Sequence, residues 1–219
     1  STEDFHLLLL HHARRHILVC VYTEGIASQN LSNFIMPITF FTNHDKELNE
    51  LSNKLDKYNK ASVVGISGIG KTQLVRRYAQ NRKNRYDLTW VFDCNADLTE
   101  QFLNLIKKIN FGIDNKLQEN PKIAKETIKE YLSSQDKWLL VFDNLKLNQN
   151  NLIKDIINWE HNGHIIIVSQ DSKDLINVID LPYLTLENSE ALVKNVLTKV
   201  DPKLVEELTK IFQGYPLSM

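Results

Sequence analysis

The 219-residue sequence predicts an α/β fold: a doubly wound parallel sheet of five strands, followed by the start of a helical subdomain. Three observations carry that prediction. Short β-rich runs alternate with helical stripes from residue 44 onward, which implies parallel pairing through right-handed crossovers. Residues 138–143 and 164–169 are apolar along almost their whole length, as strands covered on both faces are. A tight group of glycines stands between the first of the strands and the helix after it.

Each element has its own signal. Leu48, Leu51, Leu55 and Tyr58 recur at helical spacing in HDKELNELSNKLDKYNK, giving one apolar stripe on a charged helix. Residues 61–66, ASVVGI, form a short strand that ends in glycine, and Leu74, Val75 and Tyr78 mark a helix running from Lys71. LTWVF at 88–92 is the second strand, and Phe102, Leu103, Ile106 and Ile109 give the next helix. Pro121 suits a first helical turn, with Ile123, Ile128, Tyr131 and Leu132 facing inward. WLLVFD and HIIIVS are the third and fourth strands, with a helix at 152–159 between them, and LPYLTL at 181–186 is a weaker fifth. After residue 187 the pattern turns helical. Ala191, Leu192, Val196 and Leu197 form one stripe, and Asp201-Pro202 is an N-cap and first-turn pair ahead of Leu204, Val205, Leu208, Ile211 and Phe212. Gly214 is the stop. The expected organisation is therefore a poorly ordered N-terminal extension at 1–39, an α/β domain at 40–186 and a truncated helical subdomain at 187–219.

Composition narrows the function. Lys+Arg number 26 against 27 Asp+Glu, so no general basic surface exists to attract nucleic acid. The two cysteines, Cys20 and Cys94, make neither a disulfide framework nor a zinc site, which fits a reduced, cytoplasmic compartment. The apolar runs near the N-terminus, 7–10 and 17–21, fall short of the ~18 residues that cross a bilayer. No membrane association is expected.

Only seven glycines occur, and three of them, Gly65, Gly68 and Gly70, fall together. Gly65-Ile66-Ser67-Gly68-Ile69-Gly70-Lys71-Thr72 satisfies G-x-x-x-x-G-K-[ST] between a buried strand and a helix start. Backbone N–H groups of such a loop curl round phosphate oxygens at the positive end of the helix. Lys71 then reaches the terminal phosphates and Thr72 holds Mg²⁺. Ser67, Ile69 and Gln73 complete the cofactor-binding set. Asp143, ending a hydrophobic strand at the edge where ligand crevices open, is the second metal contact; Lys71 and Asp143 are the candidate catalytic residues. Asn144 follows it, and an amide cannot take a proton from attacking water. Hydrolysis should be slow.

These residues resemble a family. GISGIGKTQL, YDLTWVFD, LLVFDN, HIIIVSQ, LTLENSEAL and the closing GYPL, in this order, are similar to the NB-ARC (STAND-class) P-loop signalling NTPases, and FFTNHDKEL resembles their opening segment. The resemblance covers about residues 40–219. It implies ADP or ATP with Mg²⁺, exchange between closed and open forms, and protein partners or self-assembly in a longer chain carrying a winged helix and repeats. It also implies that Pro216 lies by the adenine. Three departures stand out. Asn43-His44 replace the usual Gly-Arg, Ser169-Gln170 replace a strand end that often carries arginine, and the winged helix with its histidine is absent.

The function expected is a nucleotide switch, a slow ATPase at most. Two alternatives stay open: an active P-loop ATPase or kinase, and an inert truncated remnant that binds no nucleotide. His6, His11, His12 and His16 lack carboxylate or thiol partners for a metal. The basic group Arg76, Arg77, Arg82, Lys83 and Arg85 reads as a solvated helix face, and Trp90, Trp138 and Trp159 as packing residues.

Overall fold

Helical and strand segments follow one another as the periodicities require. The computed structural model describes residues 31–37, 44–109, 121–146, 160–196 and 201–214. Within them lie β1 (Leu31–Ser32), α1 (Asp45–Tyr58), β2 (Lys60–Val64), α2 (Lys71–Asn81), β3 (Leu88–Asp93), α3 (Leu98–Ile109), α4 (Pro121–Ser133), β4 (Trp138–Leu145), β5 (His164–Ser169), β6 (Val178–Asp180), α5 (Leu186–Val196) and α6 (Pro202–Phe212).

The strands make one sheet in the order β1-β3-β4-β5-β2-β6, and every pair is parallel. Parallel neighbours force crossovers, and helices on both faces supply them. On one face α3 and α4 bury Phe102, Leu105, Ile106 and Ile128 against Trp90 and Phe92. Phe92 stacks on Phe142 at 5.1 Å between ring centroids and meets Phe102 at 4.5 Å. On the other face α1 and α2 bury Leu51, Leu55, Leu74 and Tyr78 against Val63 and Val141 of the sheet. At ~25 cal/mol per Å² of apolar area removed from water, these two clusters are the main favourable term of the fold. β4 and β5 lie in the middle and are buried along nearly their whole length, which explains their unbroken apolar runs.

Several expectations change. The sheet has six strands where five were read. The last of them is Val178–Asp180, whereas LPYLTL at 181–186 is not a strand. Leu181 still donates its N–H to Val64 O, but Pro182 has no donor to continue a ladder, and Leu184 N–H turns to Gly214 O instead. Alternation in LPYLTL imitated a strand, and a run of three residues was too short to read. β2 stops at Val64, so Gly65 and Ile66 belong to the loop. Leu31–Ser32 pair with Leu88 and Thr89, so the sheet begins before residue 40.

The helix pair at the end is built as its caps indicate. The Asp201 carboxylate accepts the Lys203 N–H at 2.9 Å, and Pro202 opens α6. Inward positions there are Val205 and Thr209, while Leu204 and Ile211 point to solvent, shifting the expected stripe. Tyr58, assigned to the apolar stripe of α1, is likewise exposed. Trp90 and Trp138 are core residues as read. The expected helix at 152–159, Trp159, Leu197 and the four N-terminal histidines lie outside the described residues.

Candidate functional site

The loop between β2 and α2 is curled by its glycines. Gly65 has φ 155°, and a Cβ there would meet Ile69 Cγ2 at 3.1 Å and the Leu181 carbonyl at 3.2 Å. Gly70 caps α2 at φ 108°, a conformation costly for any residue with a side chain, and its carbonyl accepts the Leu74 N–H that starts the helix. Ile69 is buried beneath the loop, while Ile66, Ser67 and Gly68 are on its outside or at its margin. The result is a bent main chain at a helix N-terminus, the arrangement that presents N–H groups to an anion.

Lys71 folds into this curl. Its Nζ donates to Gly65 O and Ile66 O, each at 2.8 Å, and the residue is only 8% exposed. Burial pulls its pKa below the ordinary lysine value, and the nearby Asp143 charge opposes that pull. The ammonium is held by two carbonyls, so little rearrangement brings it to a phosphate.

Thr72 sits at the first turn of α2 and reaches across to β4. Its hydroxyl lies 3.1 Å and 3.0 Å from the two oxygens of Asp143. Asp143 is 8% exposed. Burial raises its pKa above the ordinary carboxylate value, while the Thr72 hydroxyl, the Asn144 N–H and Arg76 favour its charge and Asp93 disfavours it. The donor set, a hydroxyl and a desolvated carboxylate, matches the hard oxygen ligands of Mg²⁺, and a divalent cation would offset the cost of burying that charge. Thr72 and Asp143 therefore fit the ion. Phe34, Val75, Arg76 and Val141 join them round a cavity of about 10 Å³.

The end of β4 carries a bulge. Phe142 pairs with Ile167 but Leu145 with Ser169, so β4 has one extra residue there. Asn144 takes φ 62° and gives its N–H to Asp143 Oδ1 at 3.0 Å. Such bulges re-aim side chains at the rim of a sheet. Ser169 closes the neighbouring strand by donating its hydroxyl to Leu145 O at 2.8 Å, with Gln170 exposed beyond it.

The structure thus brings together Gly65, Ser67, Gly68, Ile69, Gly70, Lys71, Thr72 and Gln73 around one loop, and sets Asp143 against Thr72. Pro216 and Asn43 lie outside the described residues. His44 is buried and faces Glu47 at 3.4 Å; burial lowers its pKa. The basic group on and after α2 divides. Arg85 pairs with Asp56, Arg82 donates to Ser52, and Arg76 stays beside Asp143.

Two residues were missed. Asp93 is the register partner of Asp143 on β3, and a signal for it existed, because WVFD and LVFD end neighbouring strands alike. Phe34 packs on the α2 face of the sheet from a segment read as extension, where nothing in the sequence singled it out.

The comparisons bear on the family and the fold. The family model of the NB-ARC domain matches residues 44–196. Among solved structures, the chain is similar to a Walker-type ATPase of Pyrococcus abyssi, with 15% identity over 84% of this chain and 67% of that chain and a TM-score of 0.60. It is similar to a signal transduction ATPase with numerous domains and a tetratricopeptide repeat sensor from Pyrococcus horikoshii, with 20% identity over 82% of this chain and 29% of that one, TM-score 0.56. Cdc6p from Pyrobaculum aerophilum aligns with 13% identity over 85% of this chain and 59% of that one, TM-score 0.65. No curated protein matches the chain. At such identities the solved structures speak to the fold, which is the P-loop NTPase α/β fold with the sheet described above.

Proposed function

The chain belongs to the NB-ARC domain family, and from that premise we propose that it is a nucleotide switch domain that binds ADP or ATP with Mg²⁺ and hydrolyses ATP slowly at most. The observation that carries the reading is the contact of Thr72 Oγ1 with both Asp143 oxygens, one residue from a buried Lys71 whose ammonium rests on the loop's own carbonyls.

In this reading each residue has a task. Main-chain N–H groups from Gly65 to Thr72 surround the diphosphate, with Gly68 and Gly70 permitting the close approach and Ser67, Ile69 and Gln73 contributing through the loop and the first turn of α2. Lys71 exchanges its carbonyl partners for the terminal phosphate oxygens. Thr72 and Asp143 hold Mg²⁺, which when bound neutralises charge developing on the phosphoryl oxygens. Pro216 is assigned to the adenine side by family pattern. Asn144 lacks the basicity to take a proton from water, and the neutral Gln170 cannot stabilise phosphate charge as a guanidinium does. Those two residues favour a switch over the alternative of a fast ATPase or kinase.

We assign the nucleotide switch to signal transduction in the cytoplasm, coupled to protein partners or self-assembly. One of the similar structures is a signal transduction ATPase with a tetratricopeptide repeat sensor, and the chain spans 29% of its length. No helix among the described residues is long and apolar enough to cross a membrane.

Titration calorimetry with ADP and Mg²⁺ on the parent and on Lys71→Ala tests the reading. Loss of a charged contact to phosphate should weaken binding by about 10- to 100-fold, equivalent to ~1.4–2.8 kcal/mol. Equal affinity refutes the role given to Lys71, and no binding by the parent refutes the whole reading and leaves the inert remnant.

A further inference from the structure

We infer that Asp93 is a positioning residue of this site: it fixes the side-chain amide of Asn144 so that the amide's oxygen, not its nitrogen, faces the water that attacks the terminal phosphate. The inference rests on the nucleotide reading above.

Asp93 and Asp143 end adjacent parallel strands in register, with Val91 opposite Val141 and Phe92 opposite Phe142. Residues paired this way point to the same face, here the face covered by α2. The ladder continues past them, Cys94 N–H reaching Asp143 O at 2.8 Å, so the two strand ends are held together at the site. The bulge and left-handed turn then carry Asn144 off the ladder, and its Nδ2 donates to Asp93 Oδ1 at 3.3 Å.

Chemistry decides which end of the amide faces Asp93. An ionised carboxylate only accepts hydrogen bonds, so the amide nitrogen must face it and the amide oxygen must face away. Asp93 is itself fixed without help from Asn144. Asn95 N–H donates to the same Oδ1 at 3.0 Å, and the Gln101 side chain bonds both the N–H and the carbonyl of Asp93, at 2.8 Å and 2.9 Å. The acceptor is therefore in place before Asn144 turns to it. The bond of 3.3 Å is long, as bonds in unliganded sites commonly are.

An amide oxygen orients water without taking its proton, the task a glutamine performs in some nucleotide switches. The water oxygen forms a bond to the γ-phosphorus, the bond from that phosphorus to the β–γ bridging oxygen breaks, and its electron pair leaves with the diphosphate. The proton of the water passes to a γ-phosphoryl oxygen. The products are nucleoside diphosphate and inorganic phosphate. Turnover by this route is slow, because no carboxylate receives the proton, yet it depends on Asp93.

Two variants test this: Asp93→Ala, and the exchange Asp93→Asn with Asn144→Asp, which keeps the hydrogen bond but reverses its polarity. Both are checked for folding by thermal melting and for ADP affinity by calorimetry before phosphate release is measured. In Asp93→Ala, turnover should fall about tenfold, the value of one lost orienting contact, while ADP affinity stays within about twofold. In the exchange, a carboxylate now stands where the amide stood, and turnover should rise above the parent by about 10²-fold, the lower end of general-base catalysis. A readout without nucleotide is the nitrogen-15 side-chain amide signal of Asn144. It should show slowed solvent exchange in the parent and lose it in Asp93→Ala. Turnover equal in parent and Asp93→Ala, zero included, overturns the inference, as does a parallel loss of affinity and turnover, which marks a structural role. Should Asp93→Ala fail to fold, the exchange variant decides, and turnover no higher than the parent's overturns it. A parent that fails to bind ADP refutes the nucleotide reading first and this inference with it.

Discussion

Replacing Thr72 with valine removes one hydroxyl and almost no volume, and the structure sets the size of the effect. That hydroxyl reaches both oxygens of a carboxylate that is 8% exposed, and the next partner shown for the carboxylate is the Asn144 N–H at 3.0 Å. A hydrogen bond to a charged group contributes ~1.5–3 kcal/mol. The extra methyl of valine returns at most ~0.8 kcal/mol of apolar burial. The net expectation is a loss of ~1–2 kcal/mol at neutral pH, or about 2–8 °C in melting temperature for a chain of this size. The loss should shrink in acid. Burial holds the Asp143 pKa above the usual carboxylate value, and the Thr72 hydroxyl favours the charged form, so the bond's advantage is complete well above the folded pKa and fades as pH falls through it. Urea unfolding of parent and variant at neutral and acidic pH, with and without Mg²⁺, reads all of this. A variant as stable as the parent at neutral pH, or one whose deficit grows in acid, refutes the argument that Asp143 is a desolvated charge sustained by Thr72.

Asp143→Asn should move the other way. A carboxyl whose folded pKa lies above its unfolded value costs stability as pH rises past the unfolded pKa, and the amide, which never ionises, escapes that cost. Thermal melting without nucleotide or Mg²⁺ should therefore show Asp143→Asn above the parent at neutral pH, and calorimetry should show it deaf to Mg²⁺; a lower melting temperature counts against the burial argument. Gly163→Ala should cost about 3 kcal/mol or more, because its Cβ would stand 2.0 Å from Cε2 of Trp138. That ring is fully buried, and its Nε1 donates to the Leu132 and Gln135 carbonyls, so it cannot step aside; urea midpoints within experimental error of the parent would contradict this. His164 is held at about 4 by burial against an ordinary 6.5. The unfolded chain takes up the proton first, so stability present above pH 6.5 is lost as pH falls toward 4, about 2 kcal/mol of it by pH 5. A His164→Gln variant should lose correspondingly less between pH 7 and 5, and equal slopes would show that His164 is not the titrating group.

Much of the fold was legible where a local rule and the tertiary environment agree. The residues WLLVFD and HIIIVS read as central strands because both faces of the sheet are covered there, and Asp201-Pro202 read as a helix start because capping is a local matter. The bend of the loop and the placement of Asp143 opposite it were legible for a similar reason: glycines clustered between a strand and a helix mark a tight turn, and Asp143 closes an apolar strand whose end lies beside the start of α2. What stayed hidden is non-local. Leu31–Ser32 is two residues long and owes its strand character to β3 and to Asn33, whose side chain bonds both the N–H and the carbonyl of Val91. β6 has three residues and depends on its register with Ser62–Val64. Asp93 was visible as a residue but not as a neighbour of Asn144, since that contact depends on a bulge that no spacing in the sequence announces.

The site combines two opposite charges that are buried close together yet satisfied separately. Lys71 spends its hydrogen bonds on loop carbonyls, while Asp143 takes a neutral hydroxyl and a main-chain N–H. Burial moves both groups toward neutrality, Lys71 downward and Asp143 upward, so each stands to gain from a ligand carrying the charge it lacks. In the proposed function a phosphate would supply the anion for Lys71 and its magnesium the cation for Asp143, so the two halves of one ligand would relieve two separate desolvation costs. Binding free energy that relieves such costs appears as stability of the bound form, growing with ligand concentration as RT ln(1 + [L]/Kd). A site of this kind couples nucleotide occupancy to the stability of the loop, α2 and the ends of β3 and β4 without any need for fast turnover. The proposed switch requires that property, and in that proposal the amide of Asn144, which takes no proton from water, would prolong the bound state that displays it.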